Sequence, residues 1–419
     1  MSKYIVQGGI PLKGKVRISG SKNAALPIIA AMLLTDEECV LHDVPDIADV
    51  RIMIEIAQEL GAEARFENNT LTICAKNIKS HEISKERAKQ LRTSIMFLAP
   101  LLVRKKEVFI PFPGGCNIGK RPVDSHIRAL SDLGAVVHQA DEMLHLSAEK
   151  LLPIESRILS FSVTGTETAL MAAASIVGKT ILTLAACEPH VQDLCEVLIK
   201  MGAKISGIGT NTLVVEGTDH LKGMTHTITP DYIEAGTFVI ASLMTQGTVE
   251  INNIVPAHLE ILWDYLDEMG AQYELGTDFV KVLPSPNLLH VKRVRSGIYP
   301  DFPTDLLAPM AVLLTQCYGI NRIFETIYEA RLNYIIELEK MRVNCEILNA
   351  HEAIIVGPNK LIGAPVASWD LRAGTAMVLA GLGAEGETEV SNVVYIDRGY
   401  EGFEQKLTAL GANIERILD

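Results

Sequence analysis

The stretch RIMIEIAQELGAEARFENNTLTI, Arg51 to Ile73, contains three local patterns in succession. Apolar residues first recur at the three- and four-residue spacing of an amphipathic helix. Leu60-Gly61-Ala62 follows, and a glycine directly after the last helical residue is typical of a left-handed C-cap. Two β-like runs separated by a turn complete the stretch. Together the patterns predict a helix, a glycine cap and a hairpin.

This combination is repeated along the whole chain, at a period of roughly seventy residues. The further copies of the tripeptide are Leu133-Gly134-Ala135, Met201-Gly202-Ala203, Met269-Gly270-Ala271 and Leu410-Gly411-Ala412, with a degenerate Met341-Arg342-Val343 in the remaining gap. The sequence therefore predicts six repeats.

Each repeat also contains a second helix that is apolar on almost every side after a polar opening. The six copies begin at SKNAALPIIAAMLL, LRTSIMFLAPLLV, TGTETALMAAASIV, PDYIEAGTFVIASLM, PTDLLAPMAVLLT and DLRAGTAMVLAGL. A helix of this kind should be buried. Since its neighbours are hairpins and a more exposed helix, we expect barrel-like α/β units built around a core of helices. Six such helices are too many for one core, and three repeats per domain are expected.

The domain boundary is predicted near residues 218–230, where DHLKGMTHTITPD has the composition of a linker. Residues 22–229 then form one domain, and residues 1–21 with 230–419 form the other. The first twenty residues are a β-like run outside the repeats and should complete the second domain. We expect the substrates to bind in a cleft between the two domains.

Composition limits the kind of protein. The chain has 419 residues, and 48% of them are hydrophobic, so a sizeable core is available. The formal net charge of -13 argues against a nucleic-acid partner. No apolar run is long enough to span a bilayer, and the start has no signal-peptide h-region. Seven scattered cysteines without a CxxC pair are typical of a reducing cytoplasm, and no metal-ligand cluster is visible.

The polar residues that open the buried helices are candidates for function. They are Lys22 and Asn23, Arg92, Thr164 and Thr166, Asp231, Asp305, and Asp370 with Arg372. A helix N-terminus binds anions such as phosphate, although Thr and Asp are also ordinary N-caps there. Lys and Arg are electrostatically unfavourable at this end of a helix. Lys22, Arg92 and Arg372 therefore predict bound anions.

The loop PFPGGCNIGKRPVD, Pro111 to Asp124, is longer than its counterparts in the other repeats. An insertion in one copy of a repeat is usually functional. It places Cys116 after two glycines and just before Lys120 and Arg121, and nearby cations favour a reactive thiolate. The alternative is an inert cysteine in a turn. Arg121, Arg331 and Arg398 in the equivalent loops supply guanidinium groups for phosphate or carboxylate.

Several motifs together resemble those of the UDP-N-acetylglucosamine 1-carboxyvinyltransferases, enolpyruvyl transferases of the EPSP synthase superfamily. They are SGSKNAALP with Lys22 and Asn23, PGGCNIGKRPVD with Cys116 and Arg121, FPTD with Asp305, DLRAG with Asp370 and Arg372, and IDRGYE with Arg398. The resemblance runs through the whole chain. It implies two inside-out α/β barrels, each with three similar repeats.

The resemblance also implies an activity: enolpyruvyl transfer from phosphoenolpyruvate to the 3-hydroxyl of UDP-N-acetylglucosamine, with release of phosphate. This is the first committed step of peptidoglycan synthesis, and it serves cell wall biogenesis, cell shape and cell division in the cytoplasm. It further implies a monomer or weak homo-oligomer that needs no metal or bound cofactor. The two substrates are the only partners expected, and the antibiotic fosfomycin would act on Cys116.

Carried over residue by residue, the resemblance assigns roles to the motif residues. Cys116 is the proton donor and Asp305 the general base, with Lys22 and Arg398 also catalytic. The phosphoenolpyruvate side comprises Lys22, Asn23, Arg121, Asp370, Arg372 and Arg398. The sugar-nucleotide side comprises Asn23, Arg92, Arg121, Pro122, Val123, Asp124, Ser125, Ser162, Val163, Thr164, Asp305 and Ile327.

The chain departs from the family pattern around the expected nucleotide and sugar. Ser160 replaces a usual lysine, Ser125 a leucine and Tyr334 a histidine, and Thr164-Gly165 stands for Gly-Ala. Three alternatives therefore stay open: transfer to another nucleotide, transfer to shikimate 3-phosphate, and a non-catalytic paralogue that binds a sugar nucleotide.

Overall fold

The structure, a computed structural model, describes residues 2–112, 114, 122–140 and 143–418. The described residues fold into two units. The 20–229 unit contains the described residues from 20 to 229, and the 230–418 unit contains residues 2–19 and 230–418. Each unit has its own hydrophobic core. The predicted domains, 22–229 and 1–21 with 230–419, and the cleft between them stay predictions.

The strands are, in chain order, β1 (Lys3–Gln7), β2 (Lys13–Arg17), β3 (Glu38–His42), β4 (Glu63–Glu67), β5 (Thr70–Cys74), β6 (Glu107–Pro111), β7 (Val136–Ala140), β8 (Met143–Ser147), β9 (Glu155–Arg157), β10 (Gly178–Thr183), β11 (Lys204–Ser206), β12 (Thr212–Gly217), β13 (Thr225–Thr227), β14 (Thr248–Asn252), β15 (Tyr273–Leu275), β16 (Phe279–Val282), β17 (Val294–Arg295), β18 (Gly319–Phe324), β19 (Cys345–Asn349), β20 (Glu352–Gly357), β21 (Pro365–Ala367), β22 (Glu387–Ser391) and β23 (Asn413–Ile417).

The α-helices are α1 (Lys22–Ala31), α2 (Ala48–Leu60), α3 (Lys85–Gln90), α4 (Leu98–Lys105), α5 (Asp124–Asp132), α6 (Val163–Ala174), α7 (Pro189–Lys200), α8 (Tyr232–Met244), α9 (Glu260–Met269), α10 (Thr304–Leu314), α11 (Tyr334–Lys340), α12 (Leu371–Gly383) and α13 (Phe403–Ala409). Short 3₁₀ helices span Met32–Leu34, Arg92–Phe97, Leu159–Phe161, Pro256–Leu259 and Val393–Arg398.

The buried helices lie inside each unit, with the sheets around them. In the 230–418 unit, α8, α10 and α12 contact one another, and almost all of their residues are buried. In the 20–229 unit, α6 contacts both α1 and α4. Most strands alternate buried and less buried residues, as a sheet with one face on the core requires. The predicted core of helices is confirmed.

Each unit contains three sheets among its described residues. In the 20–229 unit the strand orders are β13-β3-β5-β4, β6-β8-β7 and β11-β12-β10-β9. In the 230–418 unit they are β21-β22-β1-β23, β15-β16-β14-β2 and β17-β18-β20-β19. The start of the chain completes the second set: Ile5 of β1 lies opposite Glu389 of β22 and Glu415 of β23, while β2 pairs in parallel with β14.

The tripeptides behave as predicted. Gly61, Gly134, Gly202, Gly270 and Gly411 all have positive φ. At the degenerate copy Arg342 adopts φ +66, the same left-handed conformation with a side chain present. Position in the repeat, and not residue type alone, therefore sets the turn after each amphipathic helix.

Two local predictions were wrong. Residues 218–230 are not only a linker, because they contain β13, which pairs in parallel with β3 and places His226 opposite Leu41. The second buried helix is not continuous from Arg92, since Arg92–Phe97 is 3₁₀ and α4 begins at Leu98. This start places Pro100 in the first turn of α4, where its missing N–H breaks no helical hydrogen bond.

No helix in the described part of the chain is both long and apolar enough to cross a membrane.

Candidate active site

A carboxylate held between two guanidinium groups lies at the start of α10. Asp305 is in the first turn of that helix, and its side chain is 26% exposed. Its Oδ1 accepts a hydrogen bond from Arg331 Nη2 at 2.7 Å, and its Oδ2 accepts one from Arg372 Nη2 at 2.9 Å. Both arginine side chains are almost fully buried. The 230–418 unit therefore brings together two predicted arginines and the predicted base.

The electrostatics of this cluster favour the ionised carboxylate. Burial would raise the pKa of Asp305, but the charges of Arg372 and Arg331 and their hydrogen bonds outweigh it and hold that pKa well below its usual range. Burial alone would lower the pKa of Arg372, but Tyr400 and Asp305 raise it above its usual range. All three groups are charged at neutral pH.

Two of the Arg372 nitrogens are unused hydrogen-bond donors in the described part of the chain. Its Nε and Nη1 are buried and have no hydrogen-bond partner among the described residues. Its guanidinium lies over the Tyr400 ring, 5.1 Å from the ring centroid. A buried cation with unused N–H groups is costly unless an anion completes its hydrogen bonds. This geometry is suited to a phosphate or carboxylate ligand.

The neighbouring Asp370 has a structural task. It is the N-cap of α12, and its Oδ1 accepts hydrogen bonds from the backbone N–H groups of Arg372 and Ala373 at 2.8 and 3.1 Å. Asp231 caps α8 in the same way. Asp370 thereby fixes the backbone from which Arg372 extends. Arg398 ends the 3₁₀ helix Val393–Arg398 and is half-buried.

In the 20–229 unit, Lys22 opens α1 and its Nζ lies 2.8 Å from Asp49 Oδ2. Asp49 is 2% exposed and belongs to the first turn of α2. Asn23 follows Lys22 and is half-buried. The cations Lys22 and Arg372 were predicted to need a bound anion, but carboxylates of the chain itself, Asp49 and Asp305, partly supply it.

The residues predicted for the nucleotide cluster where α5 meets α6. Ser162 is the N-cap of α6 and accepts a hydrogen bond from Gly165 N at 3.1 Å. Ser125 donates to Ser162 Oγ at 2.9 Å. A Cβ on Gly165 would lie 2.8 Å from Ser125 Cβ, so the glycine permits this close approach of the two helices. Val123, which is buried, directly precedes α5, and Asp124, which is exposed, is its first residue.

Thr164 does not cap α6, since Ser162 does. Thr164 Oγ1 lies 3.0 Å from His126 Nε2, and His126 Nδ1 lies 2.8 Å from Thr168 Oγ1. His126 is 2% exposed, as expected for a packing residue. Val163 between the two polar residues is half-buried, and Ser160 nearby is exposed with φ +56.

The remaining predicted residues are placed as follows. Arg92 is half-buried, and its Nη2 donates to the carbonyl of the exposed Pro122 at 3.3 Å. Ile327 is 39% exposed, and its N–H donates to Glu325 Oε1 at 2.7 Å. Cys116 and Arg121 lie outside the described residues.

Two further residues were missed by the sequence reasoning. Thr304, within the quoted FPTD motif, accepts a hydrogen bond from Arg331 Nη1 at 2.7 Å. Glu325 is fully buried and accepts one from Thr304 Oγ1 at 2.6 Å. The available signal for Glu325 was an acidic residue directly after the apolar end of a strand, in RIFETIYEA.

Sequence comparison identifies relatives of the whole chain. The profile of the EPSP synthase (3-phosphoshikimate 1-carboxyvinyltransferase) family matches residues 6–407. A UDP-N-acetylglucosamine 1-carboxyvinyltransferase of Halothermothrix orenii is 42% identical and is covered over its full length, as is this chain. The chain belongs to the UDP-N-acetylglucosamine 1-carboxyvinyltransferase family. A member of the same name from Coxiella burnetii is also 42% identical, over 100% of this chain and 96% of that protein.

Solved structures agree with this family membership. The enolpyruvyl transferase NikO from Streptomyces tendae superposes with a TM-score of 0.90 at 25% identity, covering 99% of each chain. EPSP synthase from Acinetobacter baumannii superposes with a TM-score of 0.77 at 16% identity over the full length of both chains, which supports the fold alone. The predicted fold, two inside-out α/β barrels of three repeats each, is confirmed by these neighbours. As a member of the UDP-N-acetylglucosamine 1-carboxyvinyltransferase family, this chain is a transferase.

Proposed function

We propose that the protein transfers the enolpyruvyl group of phosphoenolpyruvate to the 3-hydroxyl of UDP-N-acetylglucosamine and releases phosphate. This reaction is the first committed step of peptidoglycan synthesis, and so serves cell wall biogenesis, cell shape and division in the cytoplasm. The names of the full-length relatives support the acceptor. The observation that carries the proposal is the buried Arg372, whose free N–H groups suit an anionic donor, directly beside the carboxylate of Asp305.

The proposed chemistry divides between addition and elimination. The sugar hydroxyl adds to C2 of phosphoenolpyruvate, and its proton passes to Asp305. C3 of phosphoenolpyruvate takes a proton from Cys116. The Cys116 thiolate then takes a proton back from C3, and phosphate departs from the tetrahedral intermediate with the proton held by Asp305, which restores the double bond. No metal or bound cofactor takes part in this scheme.

Cationic groups stabilise the phosphate as it leaves. We assign this role to Arg372 together with Lys22, Arg121 and Arg398, and we place Asn23 and Asp370 beside them. Lys22 and Arg372 each have a carboxylate neighbour in their own unit, Asp49 and Asp305. Each carboxylate holds its cation in place before the substrate arrives, which reduces the cost of ordering the side chain on binding.

For the acceptor we assign the sugar to Asn23 and Asp305, and the nucleotide to residues of the α5–α6 region together with Arg92 and Ile327. The residues concerned are Arg92, Arg121, Pro122, Val123, Asp124, Ser125, Ser162, Val163, Thr164 and Ile327. The protein acts as a monomer or weak homo-oligomer, and fosfomycin inhibits it through Cys116.

A second candidate function is transfer to a different nucleotide acceptor. It is favoured by the contacts at the α5–α6 junction, where Ser125 bonds to Ser162 and Thr164 bonds to His126. Ser125 and Thr164 are two of the positions at which the chain departs from the family pattern, and both form side-chain hydrogen bonds within the chain. In this candidate the acceptor differs and the reaction type, enolpyruvyl transfer, is the same.

The test is phosphate release from phosphoenolpyruvate with a panel of acceptors: UDP-N-acetylglucosamine, other UDP-sugars and shikimate 3-phosphate. We expect turnover with UDP-N-acetylglucosamine and a product heavier by one enolpyruvyl group on the sugar. Turnover only with another nucleotide would support the second candidate. Turnover only with shikimate 3-phosphate, or no turnover with any of the tested acceptors, would refute both candidate functions.

A further inference from the structure

Glu325 has no exposed surface and no place in the proposed reaction. It directly follows β18, and its carboxylate is fully engaged. Oε1 accepts hydrogen bonds from Ser296 Oγ at 2.9 Å and from Ile327 N at 2.7 Å. Oε2 accepts one from Thr304 Oγ1 at 2.6 Å. A buried carboxyl group that accepts this many hydrogen bonds is held in one orientation.

The direction of the hydrogen bonds is determined at Thr304. A hydroxyl has one proton to donate, and a guanidinium group can donate but not accept. The Thr304 proton therefore points to Glu325, and the lone pairs of the oxygen are left for Arg331. Arg331 Nη1 donates to that oxygen at 2.7 Å, while its Nη2 donates to Asp305 Oδ1 at 2.7 Å.

This arrangement divides the Arg331 fork between two acceptors. Arginine and a carboxylate readily form a bidentate pair through two parallel N–H···O bonds. Here Thr304 occupies Nη1, so that Arg331 holds Asp305 by a single nitrogen. The other oxygen of Asp305 is then available to Arg372. The order of contacts is Glu325, Thr304, Arg331, Asp305.

We propose that Glu325 is a positioning residue of the active site, which acts through Thr304 to keep Arg331 in a one-nitrogen contact with Asp305. Without the Thr304 acceptor, the Arg331 fork turns fully onto Asp305. A bidentate pair binds the ionised carboxylate more tightly, so that it accepts a proton from the sugar hydroxyl less readily. This inference rests on the proposed function, in which Asp305 takes that proton.

The variants Thr304→Val, Thr304→Ser, Glu325→Gln and the double variant Thr304→Val/Glu325→Gln test the proposal. Valine keeps the shape of threonine without the hydroxyl, whereas serine keeps the hydroxyl. In Glu325→Gln, the introduced amide can donate to Thr304 where the carboxylate accepted. Glu352→Gln is the matched control. Glu352, on β20, lies opposite Phe324, the residue before Glu325, and its Oε1 is 3.2 Å from Arg322 Nη1.

We expect kcat to fall about 10–100-fold in Thr304→Val and in Glu325→Gln, with little change in the KM of either substrate, because a small displacement of a catalytic group costs that much. Thr304→Ser and Glu352→Gln should keep the wild-type kcat. The double variant should be no slower than Thr304→Val, since both changes break one chain of contacts. Additive losses, or a kcat above half of wild type in Thr304→Val, would overturn the proposal.

A second measurement does not depend on turnover. In protein labelled with ¹⁵N-arginine, the guanidinium NMR signals of Arg331, assigned by their loss in Arg331→Lys, should shift in Thr304→Val and Glu325→Gln and stay in place in Thr304→Ser. Unchanged signals in the first two variants would overturn the proposal even for an inactive enzyme. Wild-type protein without turnover would instead refute the proposed function.

Discussion

Asp305 Oδ2 accepts a hydrogen bond from Arg372 Nη2 at 2.9 Å, although the two residues lie 67 positions apart in the chain. Because Arg372 and Arg331 lower the pKa of Asp305, the carboxylate is a weak base in this state. An anionic donor on the free nitrogens of Arg372 would share the guanidinium charge and raise that pKa. Binding of phosphoenolpyruvate is thus expected to prepare the base for the acceptor.

Replacing Asp305 by asparagine should abolish most of the turnover and leave binding of UDP-N-acetylglucosamine measurable. The amide keeps the shape of the side chain but cannot take the hydroxyl proton, a loss typically worth about 10²–10⁴-fold. Phosphate release and calorimetric binding measure the two effects. Asp301→Asn, which changes an acid bonded to Arg295 on the surface, is the control. A rate above half of wild type would show that the base lies elsewhere.

Cys116 should be the cysteine that electrophiles modify selectively. Burial raises the pKa of Cys39 to about 11 and that of Cys195, Cys317 and Cys345 to about 12, so these thiols are protonated and unreactive at neutral pH. Burial and Glu188 also raise the pKa of Cys187. Fosfomycin with UDP-N-acetylglucosamine should give a single adduct, on Cys116, found by peptide mass spectrometry.

The loss of activity should follow formation of this adduct. Cys116→Asp should escape modification and keep some turnover, because a carboxylic acid still delivers a proton. Cys74→Ser, which changes a half-buried cysteine, should be modified and inactivated like the wild type. Labelling spread over several cysteines would indicate that Cys116 is an ordinary cysteine in a turn.

Glu167→Gln should stabilise the protein at neutral pH. Glu167 is 2% exposed, and burial and the nearby Glu188 raise its pKa well above the usual value. The unfolded chain loses this proton above about pH 4.3, whereas the folded chain keeps it, so wild-type stability falls as the pH rises. The glutamine variant has no proton to lose there.

Melting temperatures of both proteins at pH 4 and pH 7.5 check this expectation. At pH 7.5 the free energy of unfolding of the variant should exceed that of the wild type by about 1–3 kcal/mol, which is the range typical of an unsatisfied buried polar group. At pH 4 the difference should be much smaller. Glu63→Gln, an exposed position on β4, should show no such pH dependence. A gain that is equal at both pH values would exclude the titration of Glu167 as its cause.

Arg342→Gly should also raise the free energy of unfolding, by about 1 kcal/mol, because the left-handed conformation costs a residue with a side chain roughly that amount. Arg342 has φ +66 and is exposed, so the change removes no buried contact. Gly411→Ala is the reciprocal control: φ is +94 and a Cβ would meet nothing within 4 Å, which leaves backbone strain as the expected cost. Chemical denaturation measures both. A loss of stability in Arg342→Gly would contradict the argument.

The repeat architecture was predictable from the sequence because its signals are local. The apolar spacing of α2 and the glycine that caps it depend on a few consecutive residues, and the same holds for the Asn68-Asn69 turn between β4 and β5, where both residues have positive φ. Motif residues such as Asp305 and Arg372 were likewise recognisable by type and position. Cys116 and Arg121, outside the described residues, remain predictions.

The partners of the charged residues were decided only by the tertiary structure. Lys22 and Arg372 were expected to meet substrate anions, which stays a prediction, and each also contacts a carboxylate of its own unit, Asp49 or Asp305. The parallel pairing of β13 with β3 and the link from Glu325 to Arg331 through Thr304 were likewise not visible in the sequence. Such pairings join residues far apart in the chain. They depend on how helices and sheets pack, which no local pattern of residues specifies.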